Sequence, residues 1–282
     1  MNIDRRIIYL LLTICVIIPL VRPLNIPQNI MPQTKKLFDY VDSIAPYDKA
    51  VLLSGDYAPG TMPENHPMFY ALLRHCLARR VRVIVISLDP QNPSLCLEGL
   101  AAVTTQINRE AKSRPDSVIY GRDYVYLGWK SGIVAAIMGM GESISMIYPR
   151  DYYQNETDTL EMMRNIRNYK QVAIVISIAG AAYPESYLAY GQSRYGVRVG
   201  AGVTAVMAAD YYPYLQTGQF TGMMAGMKGA AEYEVLNERA GYTTAFKTAG
   251  QGMDSQSLVH ILIIGAIILG NIFFFIRRRK KQ

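Results

Sequence analysis

The chain has 282 residues with 29 lysines and arginines against 22 acids, a formal net charge of +7 that would ordinarily point to nucleic acid or a membrane surface. Eight of those cations flank two terminal apolar runs, and Asp4 is the one acid that lies with them, so residues 24–257 carry no net charge and nucleic acid has no electrostatic footprint there. Three histidines and three cysteines, with no CxxC and no HExxH, give a zinc site almost nothing to be made from, and no metal is expected.

Residues 7–21 (IIYLLLTICVIIPLV) are apolar, preceded by Arg5 and Arg6 and followed by Arg22 and Pro23. Fifteen residues are short for a span and long for the apolar core of a signal peptide. No small-x-small cleavage site follows, and the large Ile14 before Cys15 argues against lipoprotein processing. Residues 1–22 are therefore read as an uncleaved membrane anchor. Pro23, Pro27 and Pro32 make 23–33 an extended tether.

Thr34 then caps a helix with Leu37, Phe38, Val41 and Ile44 on one face. Residues 50–54 (AVLLS), ending in Gly55-Asp56, read as a buried strand. A long loop over 57–64 leads to a helix opened by Asn65 and Pro67 and running to Arg80. Residues 81–88 (VRVIVISL) form a second strand ending in Asp89-Pro90, and a helix is predicted over 94–112. Beyond it the reading is a strand over 124–127, a helix over 132–140, a strand over 143–148 and a helix over 157–168. A strand over 172–177 (VAIVIS), a helix over 183–195, a strand within 197–206 and a helix over 210–237 broken near Thr217-Gly218 complete the domain. Residues 239–257 turn polar and glycine-rich and read as a linker.

At the far end, 258–276 is a 19-residue apolar run followed at once by Arg277, Arg278, Arg279, Lys280 and Lys281. At 1.5 Å per residue it reaches roughly 28 Å, enough for a hydrocarbon core of about 30 Å. Five consecutive cations stay on the cytoplasmic side. With Arg5-Arg6 obeying the same rule, the expected topology is two spans in the plasma membrane, both termini cytoplasmic (277–282 as a basic tail) and the main domain extracytoplasmic.

Apolar β-branched runs alternating with amphipathic helices predict right-handed βαβ units. The expected fold is α/β over 34–238: a Rossmann-like, mostly parallel sheet with helices on both faces, flanked by N- and C-terminal transmembrane helices. Cys76 and Cys96 read as two small buried hydrophobes on helices rather than a disulfide. Gly218, Gly222, Gly226 and Ala230 recur every four residues on the last helix of the domain, a face stripped for close backbone approach. Packing within the domain, a subunit interface and the approach of a ligand are all open. Asn271, near the inner end of the second span, is a further interface candidate.

The segments YGRDYVYLG (120–128), GQFTGMMAGMKGAAEYE (218–234) and MDSQSLVHILIIGAIILGN (253–271) together resemble an uncharacterised family of membrane-anchored bacterial α/β proteins. The resemblance implies that domain and C-terminal span belong together, and it brings no activity and no catalytic residue.

No phosphate loop, GxSxG elbow or complete dinucleotide fingerprint occurs, so no cofactor is expected and no catalytic residue is assigned. What remains is position, since ligands of open α/β sheets bind beyond the carboxyl ends of the strands. Asp56, Asp89, Gly200 and Thr204 stand at such ends. Lys130 joins them if 124–127 is a strand, and Glu64 ends the long loop after Asp56, so these six are the ligand-binding candidates. The function expected is a scaffold or accessory subunit of a membrane complex, with membrane-protein partners or further copies of itself and with a ligand at the strand ends. The alternative is an extracytoplasmic hydrolase or transferase acting on envelope material.

Overall fold

The computed structural model describes residues 5–111, 117–242 and 247–279. The chain divides into two compact units, the α/β body of residues 28–247 and a helical unit that joins the residues up to Pro27 to those from Thr248 onward.

The body is built on six parallel strands: β1 (Ala50–Asp56), β2 (Val83–Ser87), β3 (Tyr124–Trp129), β4 (Val172–Ala179), β5 (Val199–Val203) and β6 (Phe220–Ala225). Their order is β3-β2-β1-β4-β5-β6, so the direction of winding reverses between β1 and β4. β1, β2 and β5 are buried at every residue, which is why their sequences are continuous apolar or small-residue runs rather than alternating ones. On one face of the sheet Leu52, Ile84, Val125, Val175 and Val199 pack with Ile137 and Met140 of helix α5 (Ile133–Glu142) and with Tyr148, Met162, Tyr169 and Tyr187. The other face is covered by α2 (Pro32–Asp42), α3 (Met62–Ala78), α4 (Pro93–Glu110) and α10 (Gly226–Arg239). The parallel α/β architecture with helices on both faces is as the sequence led one to expect.

Three local expectations are corrected. Residues 143–148 are not a strand: Ser143 accepts from the Met146 amide and caps a one-turn helix, α6 (Ile144–Ile147). Residues 157–168 hold two 3₁₀ turns (Thr157–Thr159 and Glu161–Arg164) instead of one helix. The helix expected over 210–237 is α9 (Ala208–Gln216), then β6, then α10. The four-residue glycine repeat therefore does not lie on one helical face. Gly218 turns the chain out of α9 with φ +75°, Gly222 lies within β6, Gly226 starts α10 with φ +60°, and Ala230 is buried in α10. Gly222 does serve close backbone approach, but to α2: a β-carbon there would lie 2.5 Å from the Leu37 nitrogen and 2.7 Å from the Gln33 carbonyl oxygen.

In the helical unit, α1 (Arg5–Val21) packs against α11 (Thr248–Arg279). α11 begins ten residues before the apolar run, inside the stretch expected to be a linker. Two of its polar residues account for this: Asp254 accepts the backbone N–H groups of Leu24, Asn25 and Ile26, and Ser255 donates to the Val16 carbonyl. Among the described residues, Thr248–Ile272 is the one helix long and apolar enough to cross a membrane. α1, with 17 residues and about 26 Å, falls short of that length. Lys280 and Lys281 lie outside the described residues.

Candidate functional site

β1 carries Asp56 to the carboxyl edge of the sheet at the reversal point, where its neighbours are β2 and β4. The carboxylate is fully buried. One oxygen accepts the Leu88 amide at 2.7 Å and the other accepts the Ser177 hydroxyl at 3.0 Å. Burial pushes its pKa up to about 6, and the charge of Asp89 adds to this against the hydrogen bonds from Ser54, Leu88 and Ser177. Asp89, just past β2, accepts the Gln91 amide at 2.8 Å, as turn aspartates do, and the Tyr183 hydroxyl at 3.3 Å.

The other candidates diverge from this pair. Glu64, in the first turn of α3, accepts the Ala205 amide at 2.8 Å and so ties the loop after β5 to α3. Gly200 is an interior residue of β5, where a β-carbon would come within 2.8 Å of Leu37. Thr204 is buried, and its carbonyl accepts the Ala208 amide at the start of α9. Among the described residues no ion pair joins Lys130 to Asp56, Glu64 or Asp89. Gly200, expected at a strand's carboxyl end, is instead the second residue of β5 and lies toward its amino end, and among the described residues no cleft gathers the six.

Lys130 lies instead beside a cavity of about 430 Å³ at the end of β3. The register of β3 against β2 shifts at this point, with Val85 opposite Tyr126 and Ile86 opposite Gly128. Gly128 takes φ +83°, a conformation that costs a residue with a side chain roughly 1 kcal/mol or more. The irregularity aims Trp129 and Lys130 out of the sheet edge, and the indole is held by Nε1–H donating to the Leu88 carbonyl at 3.3 Å. The opposite wall comes from the loop after α6. Arg150 is exposed, Tyr148 is buried with a hydroxyl that has no hydrogen-bond partner, and Tyr152 stacks on Tyr126 at 4.9 Å. Asp151, also in the lining, is buried and its oxygens are already held by the Tyr120 hydroxyl and by the amide and side chain of Asn155.

Two histidine networks escaped the sequence reading. Tyr57 donates to Nδ1 of His66 at 2.6 Å, His66 Nε2–H donates to Glu98 at 2.6 Å, and Tyr70 donates to the other Glu98 oxygen at 2.8 Å. The tautomer follows from the carboxylate, which can only accept. Burial lowers the His66 pKa, opposed by Glu98. His75, fully buried, accepts from Tyr233 at 2.8 Å and donates to Asp42 at 3.2 Å, and burial lowers its pKa to about 4. The partners are 9 to 32 residues apart in the first network and 33 to 158 in the second, so no local motif announces them. Cys76 and Cys96 are buried free thiols, and among the described residues no group of three or more His, Cys, Asp or Glu side chains stands together to hold a metal.

No family model matches the chain, and no curated protein matches it. Among solved structures, one described as trehalose-6-phosphate from E. coli bound with UDP-2-fluoro glucose aligns at a TM-score of 0.33 and 10% identity, over 87% of this chain and 46% of that one. This chain thus spans less than half the length of that one, and a likeness so faint says nothing about the chemistry of the site.

Proposed function

We propose that the chain is a plasma-membrane protein held by both α1 and α11, with both termini cytoplasmic and the α/β body outside, where it serves as a scaffold or accessory subunit of a membrane complex. The observation that carries this reading is the surface of the helical unit. Tyr9, Leu10, Ile261 and Ile264 are each more than half exposed, as are Ile267 and Ile268, a density of bare apolar side chains suited to lipid and not to water. Arg277 to Lys281 set the orientation. α1 spans if the headgroup region takes Arg5, Arg6 and Arg22 at its ends, the usual accommodation of a short helix. The working surface of the body is the carboxyl edge of the sheet.

The test is accessibility in intact cells. A cysteine replacing the exposed Asp48 should react with a membrane-impermeant thiol reagent, whereas Gln282→Cys should react only after permeabilisation. The native Cys76 and Cys96 are buried and stay silent. Labelling of Asp48→Cys only after permeabilisation overturns the orientation. Migration as a lone 31.6 kDa chain after extraction in mild detergent overturns the accessory role.

A second reading, an extracytoplasmic hydrolase or transferase acting on envelope material, draws on the Asp56, Asp89 and Tyr183 cluster. A carboxyl whose pKa is pushed up to about 6 is suited to proton transfer. It requires Asp89→Asn to abolish turnover of an envelope-derived substrate while leaving the fold intact.

A further inference from the structure

We infer that the cavity at the carboxyl end of β3 is a binding site for a small phosphomonoester carrying a flat ring, with the phosphate between Lys130 and Arg150 and the ring against Trp129. The inference rests on the carboxyl edge being the working surface of the body. Its volume of about 430 Å³ falls in the range of small-molecule pockets. Among the described residues Lys130 and Arg150 enter no ion pair, although the body has 20 acids against its 21 bases. The acid in the lining, Asp151, is unavailable to them because three donors already hold its oxygens.

Tyr148 also lines the cavity. Its side chain is only 3% exposed, and its hydroxyl is buried in the core, under the influence of Asp56 and Tyr169, without a hydrogen-bond partner among the described residues. Two cations suit a phosphate, which carries about −1.5 to −2 charges at neutral pH, better than a single carboxylate. The ring follows from Trp129: its indole is fixed by the Leu88 carbonyl yet 45% exposed at the lip, which leaves a flat apolar surface for stacking.

Trp129 is the single tryptophan of the chain, so the site reports on itself. The full-length protein in detergent is titrated with phenyl phosphate while indole emission is followed, with inorganic phosphate, benzoate and phenol as parallel arms. Phosphorus NMR line broadening of phenyl phosphate provides a second readout. Phenyl phosphate should give a saturable response that weakens with salt, and each of the other three should bind at least several-fold more weakly. Lys130→Ala and Arg150→Ala should each weaken phenyl phosphate roughly tenfold. Silence in both readouts, or an unchanged response in the Lys130→Ala, Arg150→Ala double variant, overturns the site. Tighter binding of benzoate overturns the phosphate assignment, and equal binding of inorganic phosphate overturns the ring. None of these results depends on the thiol labelling, so failure here and failure of the membrane topology are told apart.

Discussion

The middle and the edge of the sheet's carboxyl end carry similar residue types and use them in opposite ways. At the middle, Asp56 is sealed under the sheet edge with both oxygens accepting from Leu88 and Ser177, and Asp89 is held in a turn and by Tyr183. At the β3 edge, Lys130 and Arg150 stand in a solvent-reaching cavity, without an ion pair among the described residues. The lesson is that charge at a strand end does not define a site. What matters is whether the fold has already satisfied the polar atoms. The filled side should show its residues in stability, and the open side in binding.

The largest effect belongs to the filled side. Gly222→Leu would drive a side chain into the α2 backbone at Leu37 and Gln33, neither of which is a flexible tip that could move aside. Overpacking of this kind typically costs 1–3 kcal/mol, and backbone contact puts this case at about 3 or more. Thermal melts or urea titration should register it, and a loss below about 1 kcal/mol would mean that β6 and α2 are not apposed. Asp56→Ala comes next. It strands the Leu88 amide and the Ser177 hydroxyl in a dry environment, at about 1–3 kcal/mol for each unsatisfied group, offset by removal of a buried charge. A net loss of about 2 kcal/mol is expected, and a neutral result would place Asp56 among residues kept for binding.

A pH series separates two buried titrating groups of the body, Asp56 and His75. Asp56, with a pKa raised from 3.8 to about 6, keeps its proton in the folded state where the unfolded chain has released it. The fold therefore gains stability from this residue as the pH falls from about 6 toward 4. His75, lowered from 6.5 to about 4, works the other way: its contribution is complete above about 6.5 and is lost as the pH falls toward 4. The two oppose each other in the wild-type protein. Asp56→Asn removes the first and leaves the second, so the variant should lose on the order of 2 kcal/mol more than wild type between pH 6.5 and 4. Parallel stability curves for the two proteins would show that Asp56 does not hold a proton in this window.

Much of the fold was legible because central parallel strands advertise themselves. β1, β2 and β4 are covered on both faces, and AVLLSGD, VIVIS and VAIVISIA have almost no alternative reading. β6 was hidden for a physical reason. FTGMMA contains a glycine, little β-branching and two methionines, and Gly218, Gly222 and Gly226 imitate a helical face while serving a turn, a strand crossing and a helix start. At the site, Asp56, Asp89 and Lys130 could be placed by their position after strands. Which of them were already hydrogen-bonded could not, because the partners Ser177 and Tyr183 arrive from β4 and the helix after it. Arg150 and Tyr148 had no signal at all, since they reach Lys130 on an irregular loop that the sequence presented as the end of a strand.

The smallest expected effect is the sharpest test of the contrast. Lys130→Ala and Arg150→Ala remove two full charges, yet among the described residues neither breaks an ion pair, and Arg150 is solvent-exposed. Surface substitutions of this kind stay within about 0.5 kcal/mol. In the unliganded protein, removing two like charges that share a cavity should be neutral or slightly stabilising, by a few tenths of a kcal/mol at low salt. The double variant should therefore melt at or just above the wild-type temperature. With saturating phenyl phosphate the order should reverse, because a ligand that binds only the folded state stabilises it in proportion to RT ln(1 + [L]/Kd), and the variant forgoes that gain. A double variant that melts well below wild type without ligand would show that Lys130 and Arg150 support the fold. The open edge would then be as structural as the sealed middle.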